Sequence, residues 1–449
     1  MQTLSNFPAT RQAGLDLLSK FSPQAGPDYA RGRNFDFGPN QPRAVSGLSP
    51  FVRRRLVTEQ ELITEVLKQH SADAAEKFIQ EVFWRSYWKG WLELRPTVWQ
   101  SYQTGLRGAW NAIQTQDGLE RNWRTACMGN TGIDCFDSWA KELSSTGYLH
   151  NHASMWFASI WIFTLRLPWE LGADFFLRHL LDGDPASNTL GWRWVAGLQT
   201  VGKTYLARPD NIKKYTNGRF TPTGLATKAV PLTGPGNPPC GTLAPANPID
   251  TTLTTGLLIH DEDLDLTHIN IKRLPFQATA ILSSHSTITP LKAADHVVQF
   301  AQGALCDTLG RLPAANSAPH TVKDVYDLIA WAQTHGLKQI ITCYAPVGPM
   351  ADQLTQARKL LAEQGILLVT VMAPYDRMTW PHATHGFFGL KIILRILLRR
   401  FHNANKLDYK RCYRLKTARL HHPANARIRT VLSANDQQPR SLSWVGRKE

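Results

Sequence analysis

The sequence predicts an α + α/β chain, a helical bundle followed by a smaller unit built on a parallel sheet, and three observations lead to it. From Glu59 to Lys228 apolar residues recur at three- and four-residue spacing, and long alternating β-branched runs are absent, which is the pattern of amphipathic helices. Past residue 254 the period changes to short apolar strands alternating with helical stretches. Between the two, VPLTGPGNPPCGTLAPANP (230–248) holds too much Pro and Gly for regular structure and reads as a linker or an extended crossing segment.

In chain order, EQELITEVLKQH (59–70), AAEKFIQEVFWRSYWKGWLEL (74–94), MWFASIWIFTL (155–165) and PWELGADFFLRHLLDGD (168–184) carry the helical pattern. Twelve of the 15 Trp fall between Trp84 and Trp194, so the chain's aromatic business is in this half. In the second half GLLIHDEDL (256–264) and ATAILSS (278–284) read as buried strands. TVKDVYDLIAWAQTHG (321–336) reads as a helix with a Thr cap and a Gly stop. KQIITCYA (338–345), MADQLTQARKLLAEQG (350–365) and ILLVTVMA (366–373) then give strand, helix and strand. FFGLKIILRILLRRF (387–401) reads as a core helix with a basic outer face in preference to a membrane-surface helix. The expected divisions are 1–228, 229–254 for the linker, 255–400 for the α/β domain and 401–449 for a C-terminal tail.

Lysine and arginine number 50 against 35 acids, a formal charge of +15, which favours a polyanionic partner such as nucleic acid. Residues 391–449 carry 15 basic residues against 3 acids, a difference of +12. That tail reads either as a solvated extension or as a phosphate-contacting arm. The six Cys (127, 135, 240, 306, 343, 412) form no CxxC and no Cys–His spacing, so neither a zinc nor a thioredoxin-type motif is signalled and no metal is expected. A reduced, cytoplasmic protein fits this usage. No run approaches the roughly 20 apolar residues that span a bilayer, and the N-terminus lacks a leader pattern; a soluble monomer is expected.

Two stretches carry candidate chemistry. LLDGDPASNTLGWRW (180–194) sets Asp182 and Asp184 close to Asn188, Trp192 and Trp194. The acids could ligate Mg²⁺, accept from a ligand's N–H groups, or cap helices. GLQTVGKT (197–204) satisfies the pattern of a phosphate-binding loop, but that loop needs a hydrophobic strand before it, and GWRWVAG offers none. An ATPase is set aside on that ground.

Six blocks in order resemble the FAD-binding domain of the photolyase/cryptochrome family: YARGR (29–33), SGLSPF (46–51), FIQEVFWRSYWKG (78–90), GNTGIDCFDSWAKELSSTGYLHN (129–151), LPWELGADFF (167–176) and LLDGDPASNTLGWRW (180–194). The resemblance implies FAD folded within the helical bundle. Ser46 and Ser49, with the backbone of Gly47 and Leu48, would hold the pyrophosphate, and Tyr29 would reach a phosphate. Asn151 would lie on the flavin side, Asp182 and Asp184 at the edge of the ring system, and Asn188 opposite flavin N5. Trp192, Trp169 and Trp110 would relay electrons from the surface. Trp84, beside the cofactor, would stack on a flipped pyrimidine dimer in DNA, Glu81 would hydrogen-bond it, and Arg85 would adjoin it. Met155 and Asn151 point to cyclobutane dimers over (6-4) lesions, for which the family places His at both positions.

Four departures accompany the likeness. Ser154 stands where the family places an Arg paired with the first acid, leaving Asp182 without that partner; Tyr148 replaces a Trp and Val45 a Thr. The α/β pattern follows the helical domain, whereas most members place an antenna domain before it. QARKLLAEQGILLVTVMAPYDRMTWPHATHGFFGLK (356–391) resembles the later part of such a domain, which implies a relocated, Rossmann-like copy and room for a second, antenna chromophore. The function so implied is light-driven repair of pyrimidine dimers, a carbon–carbon lyase activity; the alternative is a cryptochrome-like photoreceptor without repair, which Ser154 favours.

Overall fold

A computed structural model describes residues 7–389 apart from 40, 246, 270, 272–273, 285–288, 313–317 and 388. The chain opens with three helices, α1 (Arg11–Phe21), α2 (Pro27–Gly32) and α3 (Ser49–Arg53). α4 (Glu59–Gln69) starts on a reciprocal cap in which Thr58 accepts from the Glu61 N–H and Glu61 accepts from the Thr58 N–H. α5 (Glu76–Glu93) buries Phe78, Ile79, Val82, Phe83 and Tyr87, a three- and four-residue stripe that faces the core. Then come α6 (Thr97–Thr115), α7 (Asp117–Met128), α8 (Asp134–Thr146), α9 (Asn151–Ser159), α10 (Trp169–His179), α11 (Pro185–Val195) and α12 (Pro209–Tyr215).

α10 packs between α6 and α11, and α11 lies against α5. The α10–α11 approach depends on Gly172, because a Cβ there would collide with the Trp192 indole. Residues 229–254 contain no helix or strand among those described, as their Pro and Gly content requires. They track along the helices: Leu232 N–H donates to Ala196 O at 3.0 Å, and Gly241 N–H to Leu94 O at 2.8 Å.

The second half is a five-stranded parallel sheet in the order β3-β2-β1-β4-β5, with β1 (Thr255–His260), β2 (Ala278–Leu282), β3 (His320–Val322), β4 (Gln339–Cys343) and β5 (Leu367–Val371). The central β1 pairs Gly256 with Ala278 on one side and with Ile340 on the other, and all six of its residues are buried. Such burial on both faces explains the unbroken apolar run in its sequence. Helices α13 (Asp295–Gly310), α14 (Val325–Thr334) and α15 (Pro349–Glu363) make the crossovers, and α16 (Pro374–Thr379) follows the last strand. Leu258, Leu328, Trp331, Ile340, Leu354 and Leu361 form the core.

Two expectations need correction. Thr321 does not cap a helix; it lies in β3, paired with Ile281, and the helix starts later because Asp324 accepts from the Asp327 N–H at 2.9 Å. The strand expected over 256–264 ends at His260, where the acids that follow turn to meet arginines.

That meeting ties the two halves together. Arg53 reaches Glu262 at 2.8 Å, Arg54 reaches Asp261 at 2.8 Å, and Arg55 reaches Asp263 at 2.7 Å, all with side chains nearly fully buried. Arg55 also meets Glu59 and Asp376. Removing one partner of such a pair costs roughly 3–5 kcal/mol, since the other charge is left buried alone. Contacts group the described residues as one unit. The expected basic tail (401–449), and all but residues 387 and 389 of the expected helix at 387–401, lie outside the described residues. Among the described residues no helix is long and apolar enough to cross a membrane.

Candidate cofactor site

Three connections converge on one region. The SGLS turn closes through Gly47, whose φ of +65° suits glycine, with Ser46 Oγ accepting from the Leu48 N–H at 3.3 Å. The corner after α8 (147–150) is pinned to the corner between α10 and α11 (180–184) by Leu181 N–H donating to Gly147 O at 2.9 Å. Ser49 hydrogen-bonds Asp182, which joins the turn to the second corner.

Beside this junction is a small cleft, with enclosed room for about one water molecule, lined by Phe35, Asp36, Phe37, Gly38, Pro42, Arg43, Ala44, Glu142, Tyr148 and His150. The Arg43 guanidinium lies over the Tyr148 ring at 4.3 Å and over Phe7 at 5.3 Å. Two buried polar atoms of the wall, Glu142 Oε2 and His150 Nε2, have no hydrogen-bond partner in the protein. Native structures rarely leave such atoms unpaired, so they mark where a polar ligand would donate and accept. Burial and the nearby Asp36 push the Glu142 carboxyl up to about 7, and burial pulls His150 down to about 4. The aromatic, partly charged wall with its two orphaned polar atoms offers stacking and hydrogen-bonding contacts to part of a dinucleotide such as FAD, but the enclosed space is far below the roughly 300–1,000 Å³ of whole small-molecule sites, so the cleft has to open to admit it.

The acid pair sits among cations. Asp184 caps α11, accepting from Ser187 N–H at 3.1 Å and Ser187 Oγ at 2.7 Å, so the simplest reading of DGD as a cap applies to it. It also lies 3.8 Å from Lys89 Nζ and 4.0 Å from Arg85 Nη1. Burial works against its charge, but Lys89, Arg85 and Arg53 outweigh it and hold the carboxyl far below its usual range. Asp182 is shifted upward by burial, against the Ser49 hydrogen bond and the fields of Arg85 and Arg53. The expected lack of a partner for Asp182 is therefore corrected: Ser49 contacts it and α3 and α5 supply positive charge. Ser154 turns inward on its own helix and donates to His150 O at 3.2 Å.

The remaining candidates scatter. Asn188 is buried, and its amide donates to Ala173 O at 2.7 Å, holding α10. Asn151 is exposed at the start of α9, and Met155 is half-buried. Tyr29 is buried with its ring 5.4 Å from Phe78, and both Tyr29 and Glu81 engage Arg33. Trp84 is covered by Phe387, in a parallel stack with centroids 3.7 Å apart. Trp192 meets Trp161 at 6.2 Å, Trp169 meets Tyr102 at 5.6 Å, and Trp110 meets Trp123 at 5.7 Å. Among the described residues no ring contact joins these three groups. Residues 197–204 form irregular turns directly after α11, without the strand that a phosphate-binding loop requires.

Lys89, Arg53, Arg43, Glu142, His150, Trp161 and Phe387 take part without having been singled out from sequence. Lys89 carried a readable signal, since it lies one helical turn beyond Arg85 on the same face of α5. Arg53 and Phe387 carried none, because each works across a separation of about 200 residues or more.

Comparison with known proteins adds to this. Residues 78–220 match the family described as the FAD binding domain of DNA photolyase. A deoxyribodipyrimidine photo-lyase of Streptomyces griseus is 31% identical over 216 residues, 45% of this chain and 45% of that protein. That of Vibrio cholerae is 26% identical over 215 residues, 46% of this chain and 43% of that protein. The chain thus spans under half the length of the curated relatives it matches. A bacterial class III photolyase from Agrobacterium tumefaciens is similar over 46% of this chain and 43% of its own, with 25% identity and a TM-score of 0.39. A Synechocystis cryptochrome gives 23% identity and a TM-score of 0.38 over 46% of this chain and 43% of its own. The match takes in Glu81, Trp84, Arg85, both acids and the relay indoles; Tyr29 and Ser46 to Ser49 precede it.

Proposed function

We propose that this chain is a photolyase-like flavoprotein that holds FAD between the SGLS turn, the 147–150 corner and the DGD corner, and that acts in light on pyrimidine dimers in DNA. The observation that carries the reading is the pair of orphaned polar atoms, Glu142 Oε2 and His150 Nε2, on the wall of an aromatic cavity next to Asp182. When bound, FAD supplies light-driven electron transfer. The chain's own residues bind and orient: Ser46 offers its hydroxyl and Gly47 its backbone N–H to phosphate, with the Leu48 N–H and the Ser49 hydroxyl joining them once released from Ser46 and Asp182. Arg85, Lys89 and Arg53 set a positive field at the acid pair, the task that the missing Arg at Ser154 would have shared.

On α5, Trp84 offers a face for an extruded base, with Glu81 about one turn before it and Arg85 directly after it. The excess positive charge of the chain gathers phosphates. A second, antenna chromophore would compete with Arg53, Arg54 and Arg55 at the crevice where β1 and β4 part, since these pair with the three acids that follow β1. The alternative, a photoreceptor without repair, draws support from Phe387, which occupies the face of Trp84 that a base would take. Illumination of the full chain with a dimer-containing single strand separates the two readings. Restoration of intact pyrimidines supports repair; flavin photochemistry without restoration, with DNA or not, supports the photoreceptor.

A further inference from the structure

We propose that Asp263, His268 and Cys343 form a binding site for one divalent ion of the zinc type at the point where strands β1 and β4 part. The site does not rest on the flavin reading. A carboxylate oxygen of Asp263, a ring nitrogen of His268 and the Cys343 sulfur lie within 4.8 Å of one another. Tetrahedral zinc, with bonds of about 2.0–2.3 Å, draws its ligand atoms to roughly 3.3–3.8 Å apart, so closing the site takes shifts of about an ångström. β1 and β4 are parallel neighbours whose chains leave in opposite directions, the first to β2 and the second to β5. Ligands of open parallel sheets gather at such a place.

The orientation of His268 carries the argument furthest. Its side chain is 4% exposed. Nε2 lies 3.2 Å from the carbonyl oxygen of Val371, at the end of β5, and a carbonyl accepts only from a protonated nitrogen. The ring held this way presents Nδ1 inward, where it is buried and its nearest carboxylate oxygen, Asp265 Oδ2, stands 3.9 Å away, beyond hydrogen-bond distance. A histidine that donates one N–H to a backbone carbonyl and leaves the other nitrogen free is the usual arrangement of a metal ligand.

The other donors are held comparably. Asp263 accepts from Arg55 at 2.7 Å and from the Asp265 N–H at 3.1 Å, which fixes its carboxylate and leaves lone pairs. Cys343 is the last residue of β4, 1% exposed, with Sγ 3.7 Å from Asp265 O. Asp265, whose side chain is 20% exposed and 3.9 Å from His268 Nδ1, stands between the cluster and solvent as fourth ligand or as the group that orients a bound water. Charge also favours a cation, because Arg55 serves Asp263 and Asp376 together with Glu59, which it shares with Arg85. Sulfur and imidazole with carboxylate select zinc over magnesium or calcium. On binding, the Cys343 thiol gives its proton to solvent and the thiolate bonds to the metal, with no change of oxidation state.

The test is elemental analysis and zinc-edge X-ray absorption on the full-length protein, stripped with a chelator, loaded with zinc chloride and passed through gel filtration. The expected result is an equimolar zinc retained with one sulfur in its shell, and at least about a tenfold loss of affinity in Cys343→Ser and in His268→Gln. If either variant fails to fold, the sulfur signal in the wild type decides. Zinc that does not stay with the wild type, or zinc bound with no sulfur neighbour, overturns the proposal; His268 is then an imidazolium paired with Asp265.

Discussion

Phe387 lies flat on Trp84, with ring planes 9° apart, while Tyr87 closes the edge of the same pair. An aromatic pair of this kind is worth about 0.5–1.5 kcal/mol beyond its burial. A base stacked on an indole is worth about 1–3 kcal/mol, enough to displace it. Phe387→Ala should therefore raise the affinity of the full chain for a dimer-containing single strand by about two- to tenfold, measured by fluorescence anisotropy. An unchanged or weaker affinity would mean that the base does not bind on Trp84.

Asp184 has two tasks that substitution can separate. Asn caps a helix about as well as Asp, so Asp184→Asn keeps the cap on α11 and removes only the charge between Lys89 and Arg85. Asp184→Ala loses both, with a further cost of about 1 kcal/mol in urea unfolding. Reduced flavin content or a shifted flavin potential in the Asn variant is expected. Flavin behaviour like that of wild type in the Asn variant would leave Asp184 as a cap alone.

Trp192 and Trp161 stand edge to face, and the Trp192 indole N–H has no acceptor in the protein. Trp192→Phe keeps most of the packing on Gly172 but removes an easily oxidised ring, so blue-light photoreduction should slow far more than flavin occupancy falls. Trp161→Phe should slow it as well. If only Trp169→Phe has that effect, the electron reaches the flavin by way of Trp99 and Tyr102 instead.

Glu142 and His150 give the cavity opposite pH responses. With its folded pKa raised to about 7 from 4.5, Glu142 ionises first in the unfolded chain, so its contribution to stability is lost as pH rises through that window. With its folded pKa lowered to about 4 from 6.5, His150 contributes stability above pH 6.5 that is lost as pH falls toward 4. One unit is worth about 1.4 kcal/mol, so the Glu142 effect is on the order of 3 kcal/mol at most. Glu142→Gln should raise Tm relative to wild type near pH 8 but not near pH 4.5. An equal shift at both values would show that Glu142 is neutral, or paired, throughout.

The helices of the first half and the alternating α/β pattern of the second are legible because burial imposes its period on the sequence, as in α5 and in β1. β3 is not, since three residues carry no period, and Asp324 resets the start of the helix after it. At the site, LLDGDPASN and TGYLHN mark two of the three corners by local spacing alone. The cations around the acids come from α3 and α5, and Phe387 comes from the far end of the α/β half; such pairings exist only once the chain has folded. Ser154 shows the limit most plainly. The sequence registers a lost Arg, whereas the structure has Arg53, Arg85 and Lys89 around the acid pair.

The central claim is that the helical part holds FAD and uses light, and visible absorbance of the purified full-length protein before and after blue light tests it most directly. The expected result is a yellow protein that releases an equimolar amount of FAD on denaturation and whose oxidised flavin bands bleach on illumination with a reductant. A colourless protein that takes up no FAD on reconstitution would contradict it.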